Sequence, residues 1–213
     1  MSNKESFSWE LYHKAPIVGI VRGLPMEAMR GIVRAYLRAG LHTIEITMNT
    51  PGATNIISNL RSEFQDLNIG AGSVCNLEDY EMAVQAGAQF IVTPILDESV
   101  VRRAVEQNIP IFPGAYSPTE IYKAWSLGAS AVKIFPATQL GVQFVKDILA
   151  PLNEIKLLPT GGVSLDNIKA FFEAGAFGVG MGSSLFNKKF IEIGDFEGLT
   201  EYFLRVKTEI DGF

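Results

Sequence analysis

The chain has 213 residues, 47% of them apolar and 19% charged, with a net charge of −5. That is too hydrophobic and too weakly charged for a disordered chain, and the length suits a single domain over residues 1–213. Lys and Arg are scattered without a basic cluster, so no nucleic-acid partner is expected.

One cysteine, Cys75, cannot form an internal disulfide, and with two histidines it cannot build a common zinc site. The first sixteen residues lack the apolar core of a secretory signal. Uncharged stretches such as 174–187 are all shorter than the ~20 residues a membrane-spanning helix needs. A cytoplasmic protein without membrane contact is expected.

A short helix is expected in the N-terminal segment, ahead of a first strand at 17–22. Met26, Met29, Ile32, Val33, Tyr36 and Leu37 then carry helical spacing, with Pro25 at the helix start. Further strands are expected within 38–47, at 68–73, within 85–94, at 109–113, within 126–136, at 155–160 and within 173–182. Between them, Val100, Val101, Ala104 and Val105 mark one helix, and Leu165, Ile168, Phe171 and Phe172 another. Ser117-Pro118-Thr119-Glu120 and Ser164 are start signals. Asp97, Glu98 and Asp147 fit first helical turns, where acids oppose the helix dipole.

One pattern recurs along this order: a helix-like run, a glycine, then a β-branched run. Its anchors are Gly40, Gly87, Gly128 and Gly175, spaced 47, 41 and 47 residues apart. Each glycine sits where a helix end calls for positive φ. Eight strands alternating with helices imply parallel βα units and, closed, a (β/α)₈ barrel. An open doubly wound sheet is the runner-up. The repeat favours the barrel, whose active site would lie at the C-terminal strand ends.

Parallel strands covered on both faces should be apolar throughout. Lys133 and Glu45 break that rule. By period-two alternation Val132 and Ile134 pack outward and Lys133 points inward with Phe135. Likewise Ile44 and Ile46 pack outward, and Glu45 points inward with Thr47. Arg22 ends the first strand. The bland reading is a structural ion pair between Lys133 and Glu45. A buried pair is often no more stabilising than apolar residues of similar shape, so its place in a barrel asks for a chemical reason. An ordinary Lys, with a pKa of ~10.4, is neutral in roughly one molecule in 2,500 at pH 7. Apolar walls and a second cation lower that pKa, and the neutral amine can attack a ketone to form a Schiff base. With a carboxylate to move the proton, the pair reads as a metal-independent aldolase-type lyase that needs no cofactor.

Two glycine-serine segments follow the last two strands: Thr160-Gly161-Gly162-Val163-Ser164 and Gly180-Met181-Gly182-Ser183-Ser184. Loops at these positions in such barrels often hold phosphate on backbone N–H groups. His13 and His42 fall at the opposite end and read as structural. Cys75 reads as a packed small side chain, and Tyr116 and Phe135 as residues at the mouth.

The motifs IVRG at 20–23, IEITMNTPGA at 44–53, IGAGSVCN at 69–76, FIVTP at 90–94, PGAYSPTE at 113–120, KIFPA at 133–137 and PTGGVS at 159–164 resemble those of the 2-keto-3-deoxy-6-phosphogluconate and 4-hydroxy-2-oxoglutarate aldolase family. The resemblance covers nearly the whole chain. It implies a (β/α)₈ barrel, a homotrimer, no metal, and cleavage of a 2-keto-3-deoxy-6-phospho acid to pyruvate and glyceraldehyde 3-phosphate, with 4-hydroxy-2-oxoglutarate as a further candidate substrate. Lys133 then corresponds to the Schiff-base lysine and Glu45 to the general acid/base. Ser73 corresponds to a hydroxyl on the pyruvate carboxylate, with Thr47, Phe135 and Thr160 also against substrate. Gly161, Gly162, Gly182, Ser183 and Ser184 correspond to the phosphate site. Many members carry an Arg shortly after the glutamate, where this chain has Met48-Asn49-Thr50. Phosphogalactonate-type members have Asn there and an Arg ending strand one, as Asn49 and Arg22 do here, yet Thr160 matches the gluconate type. The alternatives are a sugar-phosphate isomerase or epimerase and a non-catalytic phosphosugar-binding barrel.

Overall fold

The computed structural model describes residues 6–24 and 26–213. Pro25, expected at a helix start, lies outside the described residues, as do residues 1–5. In chain order the elements are α1 (Trp9–Lys14), β1 (Ile17–Val21), α2 (Met26–Arg38), β2 (Thr43–Thr47), α3 (Ala53–Glu63), β3 (Asn68–Gly72), α4 (Leu77–Gln85), β4 (Ile91–Val92), α5 (Glu98–Glu106), β5 (Ile111–Phe112), β6 (Gly114–Ala115), α6 (Pro118–Ser126), β7 (Val132–Ile134), α7 (Ala137–Leu149), β8 (Leu157–Pro159), α8 (Ile168–Glu173), β9 (Val179–Met181), α9 (Lys188–Glu192) and α10 (Phe196–Thr208). No helix among them is long and apolar enough to cross a membrane.

The fold is α/β. Six parallel strands in the order β5-β4-β3-β2-β1-β9 curl into a half-barrel, and β6-β7-β8 form a second parallel ladder. The unbroken eight-strand ladder expected from the repeat is not there, because the single strand expected at 109–113 divides at Pro113. Phe112 O accepts from Thr93 N on one side, and Pro113 O accepts from Lys133 N on the other. Proline has no N–H to continue either ladder. At the far edge, β8 and β9 share no continuous ladder: Thr160 and Gly180 form an isolated parallel bridge, and Phe177 N donates to Leu157 O ahead of β9.

The glycine anchors behave as their spacing predicts. Gly40, Gly87, Gly128 and Gly175 have φ of 74°, 96°, 97° and 95°, the left-handed turn that ends a helix and launches a strand. Ser117 and Glu120 close a reciprocal capping box on α6, and Asp97 caps α5 with Glu98 in its first turn. Asp147 departs from expectation. It lies in the last turn of α7, where it accepts from Gln143 Nε2 at 2.8 Å. The turn opened by Ser164 tightens first, and α8 proper starts after Asn167.

Two apolar layers hold the strands. The outer one, between strands and helices, takes Ile44 and Ile46 from β2 and Val132 and Ile134 from β7. The inner one contains Phe7, Tyr12, Val18, Phe90, Val92, Phe112, Ala131 and Leu158. The short N-terminal helix, α1, supplies Tyr12 to it, so one end of the curled sheet is plugged by aromatic rings. The alternation read from the sequence therefore holds on both β2 and β7, and it leaves Glu45 and Lys133 facing inward.

Candidate active site

Glu45 and Lys133 are both buried, at 1% and 5% exposure. Glu45 sits mid-strand on β2, in register with Ile20 of β1 and Gly70 of β3. Its carboxylate lies over the α-carbon of Gly72, and a methyl group there would overlap it. Oε2 of Glu45 has no hydrogen-bond partner among the described residues. Lys133 sits mid-strand on β7 between Gly114 and Leu158, with Nζ 4.8 Å from the centre of the Phe135 ring.

The structural ion pair is absent. The ion pairs among the described residues lie between other groups on the surface. The two charges still feel each other. Burial raises the Glu45 pKa, opposed by the charges of Lys133 and Arg22. Burial lowers the Lys133 pKa, opposed by Glu45 and assisted by Arg22. Desolvation thus favours a neutral amine, and the guanidinium adds to that effect.

Arg22 directly follows β1 and is exposed, with no hydrogen bond or ion pair among the described residues. The turn behind it is latched: Gly23 N donates to Thr50 Oγ1 at 3.1 Å, and Thr50 Oγ1 lies 2.9 Å from Thr47 Oγ1. The Thr47 hydroxyl is thereby occupied in tying the loop after β2 to the loop after β1. Asn49 is exposed beside this latch. Ser73 follows β3 with φ of 56°, a left-handed conformation uncommon for a residue with a Cβ and frequent at functional sites.

The two glycine-serine loops meet. Gly161 and Gly162 both have positive φ, at 91° and 77°. Asn167 accepts from Ser164 N and donates to Gly162 O, which fixes the first loop. Ser184 Oγ donates to Val163 O at 2.6 Å and so bridges to the second loop. The backbone N–H groups of Gly162, Val163, Ser183 and Ser184 donate to no group among the described residues. A cavity of about 510 Å³ opens above them, lined by both loops together with Arg22, Phe135, Thr160 and Lys188. Lys188 was not among the residues singled out by sequence, because it lies beyond the strand end, at the start of α9.

His42 Nδ1 pairs with Asp66 O and His13 packs among Trp9, Tyr12 and Phe177, both away from this cavity. Cys75 corrects the expectation of a packed side chain: it is exposed, and partial desolvation together with the charges of Asp79 and Asp97 raises its pKa. Tyr116 lines an adjoining groove with Ile95 and Phe135.

A buried lysine and glutamate on the two parallel ladders, with a glycine-rich cavity beside them that shares Phe135 with the lysine, are the equipment of a Schiff-base lyase, and similarity to known proteins agrees. The family model described as KDPG and KHG aldolase matches residues 10–202. The 2-dehydro-3-deoxy-6-phosphogalactonate aldolase of Escherichia coli strain K12 is 35% identical over 175 residues, 81% of this chain and 85% of its own. The 2-dehydro-3-deoxy-phosphogluconate aldolase of Treponema pallidum strain Nichols is 33% identical over 193 residues, 90% of this chain and 92% of its own. Among solved structures, KDPG aldolase from Legionella pneumophila, with pyruvate captured at low pH as a covalent carbinolamine intermediate, superposes with a TM-score of 0.84 at 26% identity. That match covers 92% of this chain and 96% of the other. The chain belongs to the KDPG and KHG aldolase family of class I aldolases.

Proposed function

We propose that this chain cleaves a 2-keto-3-deoxy-6-phospho acid to pyruvate and glyceraldehyde 3-phosphate through a Schiff base on Lys133. The observation that carries the reading is a buried, inward Lys133 that makes no ion pair and faces an equally buried Glu45. The neutral amine attacks the C2 ketone, and loss of water leaves a protonated imine. Glu45, directly or through one water, takes the proton of the C4 hydroxyl. The C3–C4 bond breaks, its electrons pass into the enamine, and the aldehyde departs. Glu45 returns the proton to C3, and water hydrolyses the imine to pyruvate and free lysine.

Arg22 and Ser73 hold the carboxylate in this reading, with Phe135 and Thr160 against the carbon chain and Asn49 at the rim. Gly161, Gly162, Gly182, Ser183 and Ser184 receive the phosphate. The Ser184 hydroxyl proton is committed to Val163 O, so that residue contributes its backbone N–H. Thr47 acts through the latch to Thr50. Asn49 and Arg22 follow the galactonate pattern and Thr160 the gluconate pattern, so both C4 epimers belong in the assay, with 4-hydroxy-2-oxoglutarate beside them. We also read the two ladders as one closed (β/α)₈ barrel, supported by the Thr160–Gly180 bridge and the continuous chain through Pro113. A homotrimer is the expected assembly, and sedimentation measures it. No metal or cofactor enters the scheme.

The test is borohydride reduction in the presence of pyruvate, followed by peptide mass mapping. A reduced pyruvyl adduct on Lys133 is expected. Active cleavage with no adduct at that position would overturn the assignment.

A further inference from the structure

The cavity above the catalytic pair must accept the terminal phosphate of the substrate, a group carrying about −1.5 to −2 charges near neutral pH. Backbone N–H groups supply partial charges only. The Ser184 hydroxyl, the most obvious side-chain donor, is spent on Val163 O. The Ser164 N–H is spent on Asn167 Oδ1. No Asp or Glu lines the cavity, and its two cationic side chains are Arg22 and Lys188.

These two cations have different neighbourhoods. Arg22 acts electrostatically on both Glu45 and Lys133, which places it on the side of the reacting carbons and their carboxylate. Lys188 follows the second glycine-serine loop, whose geometry is fixed by turn bonds from Leu185 N and Phe186 N to Gly182 O and by Tyr202 Oη donating to Ser184 O at 2.6 Å. Phe186 is buried two residues before it, which pins the backbone there. Lys188 makes no ion pair or side-chain hydrogen bond among the described residues and lines the same cavity as Ser183 and Ser184.

We infer that Lys188 is the charged side chain that binds the terminal phosphate and sets the preference for phosphorylated over unphosphorylated 2-keto acids. The inference rests on the aldolase reading for the identity of the substrate, and titration with inorganic phosphate tests it without any cleavage step. A lysine suits this place because its ammonium is a compact point charge that can approach phosphate oxygens from a flexible stem.

The test compares K188Q, K188R and K189Q with the wild type. Lys189 is the neighbouring exposed lysine and does not line the cavity. Inorganic phosphate binding, measured by calorimetry, should weaken about 10- to 100-fold in K188Q, the worth of one charge-assisted hydrogen bond. K188R should recover most of the affinity, and K189Q should match the wild type. With substrates, KM for the phosphorylated acid should rise by the same factor in K188Q. Cleavage of 4-hydroxy-2-oxoglutarate and borohydride trapping of pyruvate, which involve no phosphate, should keep their wild-type values. Unchanged phosphate affinity in K188Q, or an equal loss with phosphorylated and unphosphorylated substrates, would overturn the inference. A wild type that traps no pyruvate would instead sink the Schiff-base reading, and the phosphate titration would still report on Lys188.

Discussion

Two glycines on the inner face of β3 separate the parts of this molecule. A methyl group at Gly70 would collide with the Phe90 ring, and one at Gly72 would collide with the Glu45 carboxylate. Two residues apart on one strand face, both positions are empty so that a neighbour's side chain can fill them. Below, the occupant is an aromatic ring in a cluster with Phe7 and Phe112, at centroid distances of 5.3 and 5.7 Å. Above, it is a carboxylate with an unpartnered oxygen, near an amine that burial drives towards neutrality. The lower layer is packed for stability. One layer higher the same construction holds two groups that apolar packing would not select, and removing those should cost catalysis far more than folding.

The largest expected break comes from Lys133→Arg. It keeps a cation but removes the nucleophile, so turnover should fall more than about a hundredfold and pyruvate trapping should vanish. Circular dichroism and the unfolding midpoint should stay close to wild type. Turnover above a hundredth of wild type would contradict the imine.

Glu45→Gln should slow cleavage by roughly 10²–10⁴-fold, the usual worth of a general acid/base, with pyruvate imine formation less affected. The same variant has a signature in stability. Burial raises the Glu45 pKa in the folded chain, so the folded state holds that proton more tightly than the unfolded state. Folding therefore gains from Glu45 in acid, and the gain is lost as pH rises from the ordinary carboxyl value of 4.5 through the raised one. Lys133 acts in the opposite sense: its lowered pKa favours folding in base, and that advantage is lost as pH falls through the lowered value. Chemical denaturation from pH 4 to 8 should show Glu45→Gln gaining stability relative to wild type as pH rises. A constant difference across that range would mean that Glu45 is not desolvated.

Arg22→Ala should weaken pyruvate binding by about 2–4 kcal/mol, because a bidentate guanidinium–carboxylate contact is charge-assisted in both bonds. Asn49→Ala should do much less. Equal effects from the two would place the carboxylate elsewhere, with Ser73 and backbone N–H groups as its remaining donors.

The upper layer was legible in the sequence because strand alternation is strict. Val132 and Ile134 point to the helices, so Lys133 points inward, and the same parity places Glu45. Helix ends were legible from the glycine anchors and the Ser117–Glu120 box, since these signals act locally. What the sequence hid depends on partners distant in the chain. Pro113 looks like a strand end, but whether it divides a ladder depends on Thr93 and Lys133 arriving on either side. The use of the Ser184 hydroxyl requires Val163, 21 residues away, and the latch from Thr47 to Thr50 matters only once Gly23 meets it. Asp147 reads as a first-turn acid because the sequence carries no clear signal for where α7 begins and ends. Lys188 carries no signal in the sequence, because a cation beyond the loop becomes relevant only when it lines the cavity.

The two glycines give the smallest and most direct test of the opening comparison. Gly70→Ala adds a methyl group to a filled aromatic layer, and overpacking of this kind typically costs about 1–3 kcal/mol. The Phe90 ring can shift only against Phe7 and Phe112, so the loss should appear in the unfolding free energy, with kcat nearly unchanged. Gly72→Ala adds the same methyl group two residues on, against the far end of the flexible Glu45 side chain rather than an aromatic ring. Glu45 can swing away from the added carbon, so the stability cost should be the smaller of the two. Swinging away moves the acid/base group relative to Lys133, and catalysis is sensitive to displacements of about 1 Å, which cost up to a hundredfold. Gly72→Ala should therefore lower kcat while leaving pyruvate trapping on Lys133 in place. Should Gly70→Ala impair kcat as much as Gly72→Ala, the two layers are mechanically coupled and Phe90 helps to position the carboxylate from below.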